Sequence, residues 1–415
     1  MTRVTCKIKD VISEVKSGDW GKGSPTENYT TEVLCVRGAD IPELCKGNVG
    51  KMPQRFIHNK KATSKILSAN NLIIEISGGS PTQSTGRIAL ISDKILSRYS
   101  KPLICSNFCK AITATGIQPE YLFNYWLYLY NKDAMFPYEN GTTGIKNLDF
   151  NSFIQEQDIS IPDIKTQQKI VSILSSIDEK IETNKRINDN LEEQAKALFK
   201  SWFVDFEPFK GGKFVDSELG LIPKGWSTGT IYSYIDVIYG APYKSALFND
   251  KKQGLPLIRI RDLKTYTPQY YTKEVLPNTE YVECGDIIAG MDAEFIPHIW
   301  RGEKGVLNQR LCKFVPKYDY VSKYYIYSLV YPKLAFVQSY KVGTTVSHLG
   351  KADIDRFKVI VPPEDIIMQY SKIVNSYFAE IVKVSNENQI LSSLRDTLLP
   401  KLMSGELSVE EVSLD

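Results

Sequence analysis

The stretch TQQKIVSILSSIDEKIETNKRINDNLEEQAKALFKSWF, residues 166–203, contains neither Gly nor Pro and decides the architecture of this 415-residue chain. Within it Ile170, Leu174, Ile177, Ile181, Asn184, Asn188, Leu191, Ala195, Leu198 and Trp202 recur at alternating spacings of four and three. That is the a/d stripe of a coiled-coil helix, with Glu, Lys and Asp filling the other faces. At about 1.5 Å per residue it predicts a rod roughly 57 Å long. Asn184 and Asn188 in mid-stripe weaken the seam but fix register and partner.

A second helical pattern, from about Gln369 to Met403, places Ile373, Tyr377, Ile381, Val384, Asn388, Leu391, Leu394, Leu398 and Leu402 on one face, with Pro400 expected to end or kink it. Two helices of matching length in one chain are expected to pack on each other antiparallel. A homodimeric coiled coil is the alternative.

Working outward from the helices, the chain repeats. Gly141-Thr142-Thr143 recurs as Gly343-Thr344-Thr345, and Ile159-Ser-Ile-Pro162 as Val359-Ile-Val-Pro362, each proline preceding a long helix. At a constant offset of 203, Ile170 matches Ile373, Ile187 matches Ile390, Leu191 matches Leu394, Ala195 matches Leu398, Cys109-Lys110 matches Cys312-Lys313 and Tyr121 matches Tyr324. Arg37-Gly-Ala-Asp-Ile41 has a looser counterpart in Arg259-Ile-Arg-Asp-Leu263. The fold class expected is α+β: two α/β modules separated by two long helices packed as an antiparallel coiled coil, an internal pseudo-twofold duplication. Runs such as Asn71–Ile76, Leu255–Ile260 and Asp286–Ala289 read as strands; Glu120–Asn131 and Ser322–Tyr331 read as helices.

Composition narrows the function. With 42% hydrophobic residues the chain can bury sizeable cores. No apolar run approaches the roughly 18 residues of a membrane span, and Met1–Lys7 lacks the apolar core of a secretory signal; a cytoplasmic location is expected. Seven scattered Cys and three distant His offer no structural zinc site, so no metal is expected. Cys105 and Cys109 read as buried thiols sharing one strand. The net charge of +3 is distributed as +6 over 1–150, −2 over 151–214, +3 over 215–345 and −4 over 346–415. Mildly basic modules thus alternate with acidic helical regions, a weak footprint for a polyanion.

Chemistry is conspicuous by what the chain does not encode. It contains no G-x4-G-K-[S/T] loop, no G-x-G-x-x-G after a strand, and no polar-Pro-Pro-aromatic motif of an amino-methyltransferase; its Pro-Pro is Val361-Pro-Pro-Glu364. Asp178-Glu-Lys180 lies within the heptad helix and reads as a solvated face. Ser77–Gly86 is a Gly/Ser loop able to cradle a phosphate only as any such loop does. No catalytic residues are assigned, and the chain reads as non-enzymatic.

Groups suited to the major groove are present: Arg for guanine, Asn or Gln for adenine, carboxylate for cytosine. The first module offers Arg37, Asp40, Arg55, Gln83, Arg87 and Asn107; the second offers Lys244, Arg259, Arg261, Asp292, Glu294, Gln309 and Arg310, with Trp300-Arg301 as a stacking plane beside a cation. With the repeated Thr142-Thr143 and Thr344-Thr345, these are the candidate DNA contacts.

At these residues a resemblance enters. Gly141-Thr-Thr-Gly-Ile-Lys-Asn-Leu148, Gln167-Gln-Lys-Ile170, Ile177–Glu182 and Ala195–Phe206 resemble the central conserved region of the specificity subunits of Type I restriction–modification systems. Glu218–Trp226 resembles the entry to the second target-recognition domain of that family, and Gly254–Leu263, Gly285–Asp292 and Leu307–Arg310 resemble motifs within it; Arg37–Asp40 and Ser77–Gly86 do the same in the first module. The resemblance implies a first target-recognition domain over 1–150, a central conserved region with its long helix over 151–210, a second target-recognition domain over 211–350, and a distal conserved region with its long helix over 351–415. It implies a DNA sequence-recognition subunit in which each globular domain reads one half of a bipartite target and the helices set the spacer. The stripe residues Ile170, Leu174, Ile177, Ile181, Asn184, Asn188, Leu191, Leu198, Trp202, Ile373, Ile381, Leu391, Leu394 and Leu398 would form the seam and dock methyltransferase subunits, two per chain. Restriction/translocase subunits would complete the assembly. S-adenosylmethionine, ATP and Mg would belong to those partners, leaving this chain without a cofactor. The competing expectation is a coiled-coil scaffold whose modules bind proteins rather than DNA.

Overall fold

The run Asn71-Leu-Ile-Ile-Glu75 is buried along its whole length, as a strand covered on both faces must be. The computed structural model describes residues 3–45, 50–78, 83–141, 145–341 and 348–412. The chain divides into two units, Met1–Lys180 with Ser393–Asp415, and Ile181–Ser392.

In the first unit, strands β1 (Val4–Lys7), β2 (Ile12–Ser17), β3 (Thr31–Val36), β4 (Gln54–Ile57), β5 (Asn71–Glu75), β6 (Ile88–Leu90), β7 (Leu103–Cys105) and β8 (Cys109–Ala114) precede helix α1 (Pro119–Asn131) and strand β9 (Asp158–Ile161). An antiparallel sheet has the order β2-β8-β5-β6, and a smaller one the order β4-β3-β7, with β3 and β7 parallel. Val36, Ile73, Leu103, Cys105, Cys109 and Ala111 belong to one buried cluster. Pro119 opens α1 at a position where its missing N–H costs nothing, and Trp126 on the buried face donates Nε1–H to Gly86 O at 2.8 Å. Strand β1 pairs antiparallel with β9, which delivers the chain through Pro162 to the first long helix, α2 (Ile164–Phe203). Asp163 caps that helix, accepting from the backbone N–H of Lys165 and Thr166 and from the Thr166 hydroxyl.

The second unit repeats the core of this topology: β10 (Ser227–Thr230), β11 (Ile235–Tyr239), β12 (Leu255–Ile258), β13 (Tyr271–Thr272), β14 (Ile287–Gly290), β15 (His298–Ile299), β16 (Gly305–Leu307), β17 (Leu311–Pro316), helix α3 (Lys323–Lys341) and β18 (Lys358–Val361). Its sheets run β11-β17-β14-β15 and β13-β12-β16, the latter with β12 and β16 parallel and a fourth strand, Tyr281–Val282, antiparallel on the other edge of β16, and β10 pairs with β18 ahead of the second long helix, α4 (Glu364–Ser404). An aromatic cluster ties both helices to this module: the Phe203 ring lies 4.9 Å from Tyr370, 5.1 Å from Tyr325 and 6.1 Å from Trp226. The family-like segments Ala195–Phe206 and Glu218–Trp226 thus meet in one core.

The helices run antiparallel. In the second unit Asn184 Nδ2 donates to Asn388 Oδ1 and to Glu387 Oε2, both at 2.9 Å, and Asn188 Nδ2 donates to Ser385 Oγ at 3.1 Å, one number rising as the other falls. In the first unit Arg395 reaches Asp178 at 2.9 Å. The seam of α2 is therefore met by α4 of the same chain, in place of the homodimeric alternative.

Four expectations are corrected. Ile373 and Leu394, expected on the seam, are 40% and 39% exposed, while Tyr370 and Val374 are buried. The reason is an anchor: Gln167 Oε1 accepts from the Gln118 N–H in the first unit, and Ser371 Oγ accepts from the Ser322 N–H in the second. Counting from these, Val374 stands where Ile170 stands. The offset is likewise not constant. The β2–β8 ladder ends at Ser17 against Lys110 and the β11–β17 ladder at Tyr239 against Cys312, so Lys110, not Cys109, occupies the place of Cys312. Cys105 and Cys109 lie on successive strands, β7 and β8; both are buried. Pro400 does not end α4, which passes through it to Ser404, because Leu402 and Met403 beyond it are buried and a proline near a helix end removes little hydrogen bonding; α3, read from the sequence as far as Tyr331, passes through Pro332 to Lys341, with Leu334 and Val337 buried beyond it.

Candidate nucleic-acid interface

In each unit five chain segments converge at one end, tied by the same four backbone bonds. In the first, Asp19 N–H donates to Cys105 O (2.9 Å), Ser106 N–H to Val36 O (2.8 Å), Ile76 N–H to Phe108 O (2.8 Å) and Leu148 N–H to Ile76 O (2.8 Å). In the second, Ala241 N–H donates to Leu307 O (3.0 Å), Asn308 N–H to Ile258 O (3.2 Å), Met291 N–H to Arg310 O (2.9 Å) and Leu349 N–H to Met291 O (2.7 Å). A glycine is required beside this knot in both: a Cβ on Gly18 would sit 1.8 Å from Ser106 O, and one on Gly240 2.1 Å from Asn308 O.

Most candidate contacts lie on or near these segments, but their jobs differ. Arg37 and Asp40 form a clasp: Asp40 Oδ2 accepts from Arg37 N–H and Nε–H, both at 2.9 Å, and Oδ1 from Nη2 at 3.0 Å. Arg259 N–H donates to Asp262 Oδ2 at 2.9 Å in the same turn of the second unit. The Arg-x-x-Asp pattern thus closes a turn after β3 and after β12. Burial pushes the Arg259 guanidinium below its ordinary value, and Asp262 above; the guanidinium lies 4.2 Å from the Tyr270 ring. Arg87 makes a two-pronged bond with the buried Glu75, at 2.8 and 2.5 Å. Arg55 stacks at 4.1 Å on Trp20. Trp300 is fully buried, donating Nε1–H to Glu303 O at 2.9 Å, and Arg301 is spent on Glu192 of α2. The stacking plane expected of Trp300-Arg301 is therefore closed.

The exposed candidates are Gln83, Asn107, Lys244, Arg261, Gln309 and Arg310. Arg310 pairs with Asp292 at 3.1 Å, His348 Nδ1 lies 2.7 Å from the same carboxylate, and Lys264 reaches Glu294 at 2.8 Å. Lys264, His348 and Phe108, the last 54% exposed, escape sequence reading, for nothing in a lone Lys, His or Phe distinguishes a loop tip from a core. Thr142, Thr143, Thr344 and Thr345 lie outside the described residues. Among the described residues no group of three His, Cys, Asp or Glu is placed to hold a metal ion, and no helix is long and apolar enough to cross a membrane. Burial pushes the Cys105 thiol up to about 11 and that of Cys312 to about 12, keeping both protonated and inert. Each unit therefore presents a hydrogen-bonded knot of backbone carrying a few exposed polar side chains, an arrangement suited to contacting a groove.

The family described as type I restriction modification DNA specificity domain matches residues 6–193 and 223–392. The MjaIX specificity subunit of a type I restriction enzyme from Methanocaldococcus jannaschii is 28% identical, covering 98% of this chain and 94% of that protein. The EcoBI specificity subunit from Escherichia coli is 30% identical over 46% of this chain and 41% of its own length. The crystal structure of a type-I restriction-modification S subunit from M. genitalium covers 97% of this chain and 96% of its own, at 16% identity and a TM-score of 0.50, a likeness of fold.

Proposed function

Since the chain belongs to the type I restriction–modification DNA specificity family, we propose that its two units read the two halves of a bipartite target, each through the knot of segments after β2, β3, β5 and β7 or their counterparts β11, β12, β14 and β16. The chain is the non-catalytic sequence-recognition subunit of its complex. The observation that carries the two-headed reading is the recurrence of the same four backbone bonds in both units: two equivalent frames carry different side chains, as reading two different half-sites requires.

The length of α2 and α4 would set the number of unread base pairs, and the exposed faces of the helices would dock two methyltransferase subunits, one for each repeat. Restriction subunits would join through that assembly. S-adenosylmethionine would be held by the methyltransferase partners, and ATP and Mg by the restriction partners. Family membership leaves the protein-binding scaffold without support.

The test is a methylome. Co-expressing the chain with the methyltransferase subunit encoded beside it, and comparing modified adenines with the methyltransferase alone, should reveal a new bipartite motif that depends on this chain. A soluble complex that leaves no new mark would contradict the proposal.

A further inference from the structure

The strongest correspondence between the units lies at the tips of their knots. After β7 the chain turns with Cys109 N–H donating to Ser106 O at 2.8 Å; after β16 it turns with Leu311 N–H donating to Asn308 O at 2.9 Å. Asn107-Phe108 and Gln309-Arg310 are the corner residues of these two turns. Each turn is held from three sides: through its first residue to the strand before the Arg-x-x-Asp clasp, through the carbonyl of its second corner to Ile76 or Met291, and from beneath by Gly18 or Gly240. The first residues, Ser106 and Asn308, are buried, while Asn107 and Gln309 are exposed, and among the described residues neither side-chain amide carries a hydrogen bond.

An amide presents a donor and an acceptor side by side, the pattern that matches adenine N7 and N6–H in the major groove. Held on a fixed turn, it pays little ordering cost on binding. We infer that Asn107 and Gln309 are equivalent specificity-determining residues, each pairing its amide with an adenine, so that both half-sites carry an A·T pair at the position under this turn. The second corner then differentiates the halves. Arg310, drawn toward Asp292 at 3.1 Å, suits guanine O6 and N7, whereas the exposed Phe108 ring suits a thymine methyl. This rests on the recognition role proposed above and deepens it.

The test uses the full chain with its methyltransferase partner, reading the methylated motif of the wild type, Asn107→Ala and Gln309→Ala. Each variant should relax one A·T position, in one half-site only and in opposite halves, with about 10- to 100-fold loss of discrimination there in competition binding by the purified complex. A second pair, Asn107→Asp and Gln309→Glu, keeps the side-chain shape but replaces donor and acceptor by acceptors alone; preference should move from adenine toward cytosine, whose N4–H2 donates. If the wild type marks a bipartite motif and every variant marks the same motif with undiminished discrimination, the inference is overturned while the recognition role stands. Relaxation at a G·C pair, or in both halves at once, overturns it equally. A wild-type complex without a bipartite mark overturns the recognition role, and this inference with it.

Discussion

Asn184 of the first long helix donates its side-chain amide to Asn388 Oδ1 of the second at 2.9 Å, one helical turn from the Asn188–Ser385 bond, in the polar middle of a seam that is apolar on either side. An amide pair in a helix seam adds little net stability, because each group gives up water to gain its partner, but it penalises slipped pairings that would leave an amide alone. Replacing both by Leu (Asn184→Leu with Asn388→Leu) should therefore leave thermal stability unchanged or raise it by about 1 kcal/mol. A fall of more than that in thermal unfolding would show the pair to be a net stabiliser rather than a register device.

The Arg37–Asp40 clasp and its counterpart Arg259–Asp262 are structural. Asp40 and Asp262 are buried, and each accepts the N–H of the arginine three residues before it. Asp40→Ala or Asp262→Ala leaves that N–H without its partner and should cost about 1–3 kcal/mol, read as a drop in unfolding temperature, with the methylated motif unaltered in the protein that remains folded. A changed motif at full stability would make these residues readers instead.

Glu75 and Arg87 form the most enclosed ion pair among the described residues of the first unit, with the Glu75 side chain 2% exposed. Breaking a buried pair from one side leaves the other charge uncompensated, so Arg87→Ala should destabilise by about 3–5 kcal/mol. Arg87→Met together with Glu75→Leu, which removes both charges, should recover most of that loss. Chemical denaturation of the single and double variants decides it; an equal loss in both would place the cost in packing rather than charge.

Hydrogen bonds from Thr166 hold the Asp163 carboxyl below its ordinary value of 3.8. A depressed folded value contributes stability that is present above the unfolded value and lost as pH falls through the folded one. Asp163→Ala should thus lower stability at neutral pH and flatten its decline below about pH 4. Unfolding curves that remain parallel down to pH 2 would remove the cap from the acid response.

The helices were legible because a heptad stripe survives in the linear order of residues. The start of the second was not: Pro362-Pro363 leads into a turn that buries Ile367 and Tyr370, which shifts the seam so that Val374 rather than Ile373 faces inward. The duplication was legible from Gly-Thr-Thr and the aliphatic-Pro strands, but the equivalence of Asn107 and Gln309 was hidden. It is written in backbone hydrogen bonds, which any side chain can make, and the matching of Cys109 with Cys312 pointed one residue away. For the candidate contacts, residue type alone could not separate Arg310, which is exposed, from Arg87 and Arg301, which are consumed by buried carboxylate and helix contacts.

The central claim is that two duplicated units read separate half-sites while the helices count the bases between them. It is tested most directly by inserting one matched heptad into both long helices at the level of Asn184 and Asn388 and sequencing the methylated motif. Seven residues add about 10 Å of helix, or about three base pairs at roughly 3.4 Å each. The account predicts both half-sites unchanged and a spacer longer by about that amount; altered half-sites with an unchanged spacer would contradict it.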